Sequence, residues 1–453
     1  MFKNIVNHNI IIEYKLLTSL YDTQVRVCNM NENNVYNFTF LNQLIQKNKE
    51  IRLEHDIILE EVEKERFSEG IVLDKNAIVI DGNGYSIDAQ GMTRIFKVTG
   101  SEIIIKNITF MNGYSEDSGA AIANAGSIKI YNSTFTDNMA DVDGGAIYND
   151  IGGKIDIEDS EFTNNNSQTD GGAIFNWGEL TVKSTLIEDN ISWKDAGAIH
   201  NGGRTHKSSV LNDIKYIEED IDLSNVKLAI EDSIICQNTG SHSCGGIMNW
   251  GILNVEKSIL EKNITSGRGG AISNQGTGIV NLNDIDIISN RANFTGGAIQ
   301  NQKNGIITLT DSRIEKNETR GRGGTITNRG MIVVNKSKFN YNIAEPNGGV
   351  IYNSGQTDIN ESLFGFNRAY RKGGIIINSG HVNVNNSVFK CNDADYLGES
   401  IYNIKGITTL TDTKVVNEED ITEENPMRTI YNKKGSIIMQ DTKLSTMQIY
   451  IHQ

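Results

Sequence analysis

GGAIYN at Gly144–Asn149 is followed by GGAIFN at Gly171–Asn176, and this pair decides the fold. The phrase returns as AGAIHN at Ala196–Asn201, GGIMN at Gly245–Asn249, and GGAISN, GGAIQN, GGTITN, GGVIYN and GGIIIN from Gly269, Gly296, Gly323, Gly348 and Gly373. Weaker copies begin at Gly119, Gly398 and Arg428. A second phrase, apolar-x-x-Asn, follows each copy and ends at Asn138, Asn165, Asn190, Asn263, Asn317, Asn342, Asn367 and Asn392. The central Ile residues 122, 147, 174 and 199, then 247, 272, 299 and 326, fall 25 or 27 residues apart. One doubled step, Ile199 to Ile247, interrupts the series.

A period of this length, with three short alternating segments per unit, predicts one coil of a parallel β-helix. Helical solenoids are excluded, because the apolar residues alternate with period two rather than 3.6. In GAIYN, Ile147 and Asn149 share one side and Ala146 and Tyr148 the other. Stacked ~4.8 Å apart, the coils would lay Ile on Ile and Asn on Asn. A buried column of amides is tolerable because each amide pairs with the next. The Gly pairs suit corners of positive φ or close backbone approach. Only 2 Pro occur, as interior strands that bond on both sides require. The fold class predicted is all-β: a right-handed, single-stranded parallel β-helix of about a dozen coils, roughly 60 Å long.

Outward from the repeats, residues 1–37 form an unassigned N-terminal extension, and Phe40, Leu41, Leu44 and Ile45 have helical spacing within a capping helix over 38–50. Such a helix would cover the first open coil, an otherwise bare sheet edge. The β-helix is assigned to 51–445, with the extra residues of the doubled step forming an inserted loop at 204–226 and 446–453 a tail. The whole chain has 453 residues, a formal charge of −15 and 4 Cys. The acidic balance excludes general nucleic-acid binding, and so few Cys exclude a disulfide scaffold. Cys236 and Cys244 read as small buried apolar residues. No stretch has the ~20 apolar residues of a membrane span. The patch Ile10–Ile12 is too short for a secretory h-region, so no export signal or anchor is expected. The Asn-x-Ser/Thr sites, such as Asn132 and Asn335, are as frequent as the Asn-rich repeat makes them.

GGAI paired with FxxN resembles the repeat of chlamydial polymorphic outer-membrane proteins. The run GIVLDKNAIVIDGNGYSIDA at 70–89, with RIFKVTGSEIIIKNITFMNG at 94–113, is similar to adhesin-like β-helix proteins of methanogenic archaea. The resemblance covers about 38–445 and implies surface adhesion and a cell-surface or extracellular location. The fold also hosts pectate lyases and glycosidases.

Two rows are candidates for function. Asp143, Asp170, Asp195, Ser243, Arg268, Thr295, Arg322, Asn347 and Lys372 precede the Gly pairs at one corner, acidic at one end and basic at the other. Three stacked carboxylates would hold Ca²⁺, or they would act as the acid pair of a polysaccharide-cleaving enzyme. The plain alternative is a solvated corner. Tyr148, Phe175, His200 and Met248 form an outward row, with Trp177 and Trp250 three residues beyond Ile174 and Ile247. Stacked aromatics would carry the apolar faces of sugar rings; alternatively they are strand residues covered by the inserted loop. His8, His55, His206, His242 and His381 show no zinc spacing. The expected function is a non-catalytic, adhesin-like protein binding a polysaccharide or cell-surface glycan, with a lyase or hydrolase as the alternative.

Overall fold

Period-two alternation leaves every second side chain of a strand inside, and burial follows that pattern coil after coil. Lys154–Glu158 alternates exposed and buried with Ile155 and Ile157 inward. The computed structural model describes residues 35–203, 222–321, 323–345, 347–416, 430–444 and 449–451. Packing divides the chain after Tyr36, and the coils lie in the second unit, 37–453.

The unit is a parallel β-solenoid of about 14 turns. Among the described residues three sheets of 15 strands run its length, the first from Glu50–Arg52 to Ser436–Gln440 and the second from Ile71–Leu73 to Ile449–Ile451. The third sheet runs from Ile57–Ile58 to Lys443–Leu444. A fourth sheet of 11 two-residue strands, from Tyr114–Ser115 to Asp393–Ala394, was not anticipated from three alternating segments. Two residues carry no readable alternation.

The GGAI phrase forms the second sheet, in register from coil to coil: Ile147 pairs with Ile174 and Asn149 with Asn176. Asn274 pairs likewise with Asn301. From Asn124 to Asn353 each inward amide donates through Nδ2 to Oδ1 of the next coil, at 2.7 Å for Asn149 to Asn176 and 2.9 Å for Asn274 to Asn301, whereas Asn378 turns to the Ile407 carbonyl and Thr408 Oγ1 and leaves Asn403 Oδ1 without a partner. The apolar-x-x-Asn phrase builds a second amide file, with Asn138 donating to Asn165 and Asn165 to Asn190, both at 2.9 Å. Phe135 and Phe162 stack in the third sheet with centroids 4.5 Å apart. The doubled step leaves the ladder intact, because Ile199 pairs directly with Ile247. Between them the coil is completed by the strands Lys227–Glu231, Ile234–Cys236 and Thr239–Gly240, and residues 204–221 of the inserted loop lie outside the described residues.

The Gly pairs have two separate causes. Gly144 and Gly171 sit at φ +63° and +67°. A Cβ on Gly145 would lie 2.1 Å from the Gly172 carbonyl oxygen of the next coil. Ahead of the coils, α1 (Phe38–Lys47) packs on the first-coil strands Glu50–Arg52, Ile57–Ile58 and Ile71–Leu73. It buries Phe38, Leu41 and Ile45, while Phe40 and Leu44 are half-buried. Asn37 caps it by accepting from the Phe40 N–H at 3.1 Å, and Glu63 accepts from the Thr39 N–H at 2.7 Å. Residues 1–34 and most of the tail lie outside the described residues.

Candidate functional site

The corner between the fourth and second sheets brings Asp143, Asp170 and Asp195 onto successive coils. Their side chains do not converge. The Asp143 carboxylate accepts the Asp170 backbone N–H at 3.1 Å, and Asp170 accepts the Asp195 N–H at 3.2 Å. Asp143 also accepts from the Thr169 hydroxyl, and its own N–H donates to Ser118 Oγ at 3.2 Å. Asp195 ends the file against His242 Nδ1 at 3.1 Å. Each carboxylate therefore points along the coil axis and stitches one corner to the next. Among the described residues, no group of three or more His, Cys, Asp or Glu is placed to hold a metal ion. One oxygen each of Asp143 and Asp170 serves a backbone donor of the next coil, and Asp195 meets the His242 ring.

The file has unequal electrostatics. Burial, and next the neighbouring Asp170, push the Asp143 carboxyl up to about 7. Asp195 is raised for the same two reasons in the same order, against a pull downward from His242. His200, on the adjoining strand, is held below the usual imidazole range by burial. Neither of its ring nitrogens has a hydrogen-bond partner, and Phe175 meets it edge-on at 4.7 Å.

The aromatic row is not an open platform. Tyr148, Phe175, Trp177 and His200 are 1%, 3%, 3% and 4% exposed. Tyr148 stacks on Phe175 at 5.6 Å, and Trp177 lies tilted 5.8 Å beyond. Val226 and Leu223, from the end of the insertion, pack against this cluster, so the row is covered. Trp250 differs. It is half-buried beside Met248 and Cys244, and it lines a depression of about 320 Å³ with Leu223, Ile252, Thr277 and Ile279. Cys236 and Cys244 are buried free thiols; burial, then Glu188, pushes Cys236 up to about 12.

Arg94 escaped the sequence reading. It is buried at the start of the corner and donates to the carbonyls of Gly119 and Ser118 at 2.9 and 2.8 Å, and to Ser115 Oγ at 2.9 Å. The fourth sheet begins at Tyr114–Ser115, and Arg94 serves corner groups at that first rung. It acts once, so no repeat could reveal it.

With this geometry in view, a model of the Chlamydia polymorphic membrane protein repeat matches residues 132–150 and 159–176. No curated protein matches. Among solved structures, the chain is similar to the alginate lyase AlyF-OU02 in complex with G6, at 12% identity and a TM-score of 0.32, over 92% of this chain and 86% of that one. It is also similar to a PL6 alginate lyase complexed with a trisaccharide, at 15% identity and a TM-score of 0.38, over 92% and 94%. Among the described residues no helix is long and apolar enough to cross a membrane.

Proposed function

We propose that this chain is a non-catalytic, adhesin-like β-helix protein of the cell surface that binds glycans or cell-surface partners along its coils. The observation that carries the reading is the corner file. Of the three stacked corner acids that could have served hydrolysis, Asp143 and Asp170 each give an oxygen to a backbone donor of the next coil, and Asp195 meets His242. The repeat match at 132–150 and 159–176, to a family described as a membrane protein's, supports the surface location. Within the aromatic row Trp250, beside its depression, is the residue best placed to meet a sugar ring. Incubation with a panel of neutral and acidic polysaccharides tests the reading: binding without new reducing or unsaturated ends is expected. Appearance of either kind of end would overturn it. Trp250→Ala should weaken glycan binding severalfold, and unchanged binding would dismiss that residue.

One observation favours the hydrolase reading. A carboxyl near 7 is what a general acid requires. If Asp143 were that acid, Asp143→Asn would abolish any cleavage the panel detects while leaving the fold intact.

A further inference from the structure

The fourth-sheet corner carries a charge pattern that the repeat does not require. Its five positions per coil run in register from Tyr114–Ser118 to Asp393–Leu397. Across the first four of those coils, Glu116, Asp117, Asp141, Asp143, Asp170 and Asp195 face a single cation, Lys194. The coil Thr239–Ser243 is neutral apart from His242. Across the next five coils, among the described residues, Arg268, Arg291, Arg320, Arg368, Arg371 and Lys372 stand against Glu318 and Glu345, and the last coil carries Asp393 and Asp395, both paired with Arg368. In a chain of net charge −15, such a basic stretch is a local exception.

Large rings stand on the same edge. Trp193 is 62% exposed and Phe294 59%, and Arg268 lies over the Phe294 ring at 5.7 Å. Exposed aromatics and arginines together are the composition of a protein–protein interface. Arg371, Lys372 and Glu116 make no ion pair among the described residues.

We propose that this edge is the interface of an antiparallel dimer of the chain with a second copy of itself. A two-fold axis perpendicular to the coils makes an edge meet its own reverse. Placed between the coils Thr239–Ser243 and Ile264–Arg268, that axis sets Ser241 against the partner's Gly267, small residues that let the edges approach. One step outward on each side, Trp193 meets the partner's Phe294. Farther out, Glu116 and Asp117 meet the partner's Arg371 and Lys372, nine rungs away along the edge, or ~43 Å. One operation thus accounts for the neutral centre, the exposed rings and the opposed charges at the two ends, while it sets Asp141 opposite the partner's Glu345. An extended anionic or cationic polymer would satisfy only half of the edge.

Sedimentation equilibrium on the full chain tests the proposal. At about 50 µM and low salt the wild type is expected to be dimeric, and to dissociate as salt screens the ends. Arg371→Glu with Lys372→Glu should weaken self-association at least tenfold, as should Glu116→Lys with Asp117→Lys. The two reversed variants mixed together should recover a heterodimer, because each supplies the charge the other needs. Trp193→Ala, which leaves all charges in place, should weaken the dimer by a similar factor at any salt. A wild type that stays monomeric would overturn the proposal. So would reversed variants with native circular dichroism that still dimerise alone, or that fail to pair when mixed.

Discussion

Inside the coils, one residue type is repeated without relief; at the corner before the Gly pairs, identity changes at nearly every step. Asn149, Asn176, Asn201, Asn249 and Asn274 occupy successive rungs of one interior file, all fully buried. The corner over the same coils reads Asp143, Asp170, Asp195, Ser243 and Arg268. The difference lies in where each side chain finds its partner. A buried amide has no water to fall back on, so the neighbouring coil must present the complementary group. A corner side chain is partly solvated, and any residue that tolerates the turn can stand there. Interior columns therefore record the fold, and corner and outer columns are free to record function.

The sharpest way to break this contrast is to interrupt an interior file. Asn274 donates to Asn301 and to the Gly278 carbonyl at 2.9 and 2.8 Å, and accepts from Asn249 at 2.9 Å. Asn274→Ala removes all three bonds and leaves the Asn301 oxygen without that donor, at a cost of about 3–5 kcal/mol by denaturant titration. A loss below 1 kcal/mol would mean that the amide file is not what holds the coils in register.

Asp143 sits between the two regimes, being a corner residue that is largely enclosed. Its folded-state pKa of about 7 lies above the ordinary carboxylate value of 3.8, so folding retains a proton that the unfolded chain releases. Its contribution is therefore fully present below pH ~4, falls as pH rises towards 7 and is level above it. Asp143→Asn keeps the acceptor for the Asp170 N–H and removes the charge. Stability of the variant should exceed wild type at pH 8 by on the order of 2–4 kcal/mol, with no gain at pH 4. An equal effect at both values would show that the carboxyl is not held protonated.

Legibility in the sequence follows the same division. The amide files and the Ile column were readable because each rung repeats a residue, and repetition at 25 or 27 residues needs no knowledge of distant contacts. The fourth sheet was not, since pairs such as Met139–Ala140 and Asn166–Ser167 are too short to show a period. The outward position of Tyr148 and Phe175 was also legible. Their burial was not, because it depends on Leu223 and Val226, which follow the insertion and pack over the row. For the three acids, spacing placed Asp143, Asp170 and Asp195 on one corner, yet whether stacked carboxylates aim at a common point or along the axis is a matter of side-chain torsion. That torsion separates a metal site from a hydrogen-bonded file.

The outer face offers the weakest test and the one that completes the contrast. Arg313 and Asp286 are cross-strand neighbours on the third sheet, joined by two hydrogen bonds of 2.9 and 2.6 Å. Their geometry is as good as that of any interior amide pair, yet the side chains are 46% and 30% exposed. Water can replace either partner, and salt screens both. Arg313→Gln should therefore cost less than about 1 kcal/mol at low ionic strength and less again in 0.5 M salt, read from the shift in the unfolding midpoint. A loss comparable to that of Asn274→Ala would place the outer columns under the same constraint as the inner ones. It would remove the freedom that lets neighbouring coils carry opposite charge on a shared scaffold.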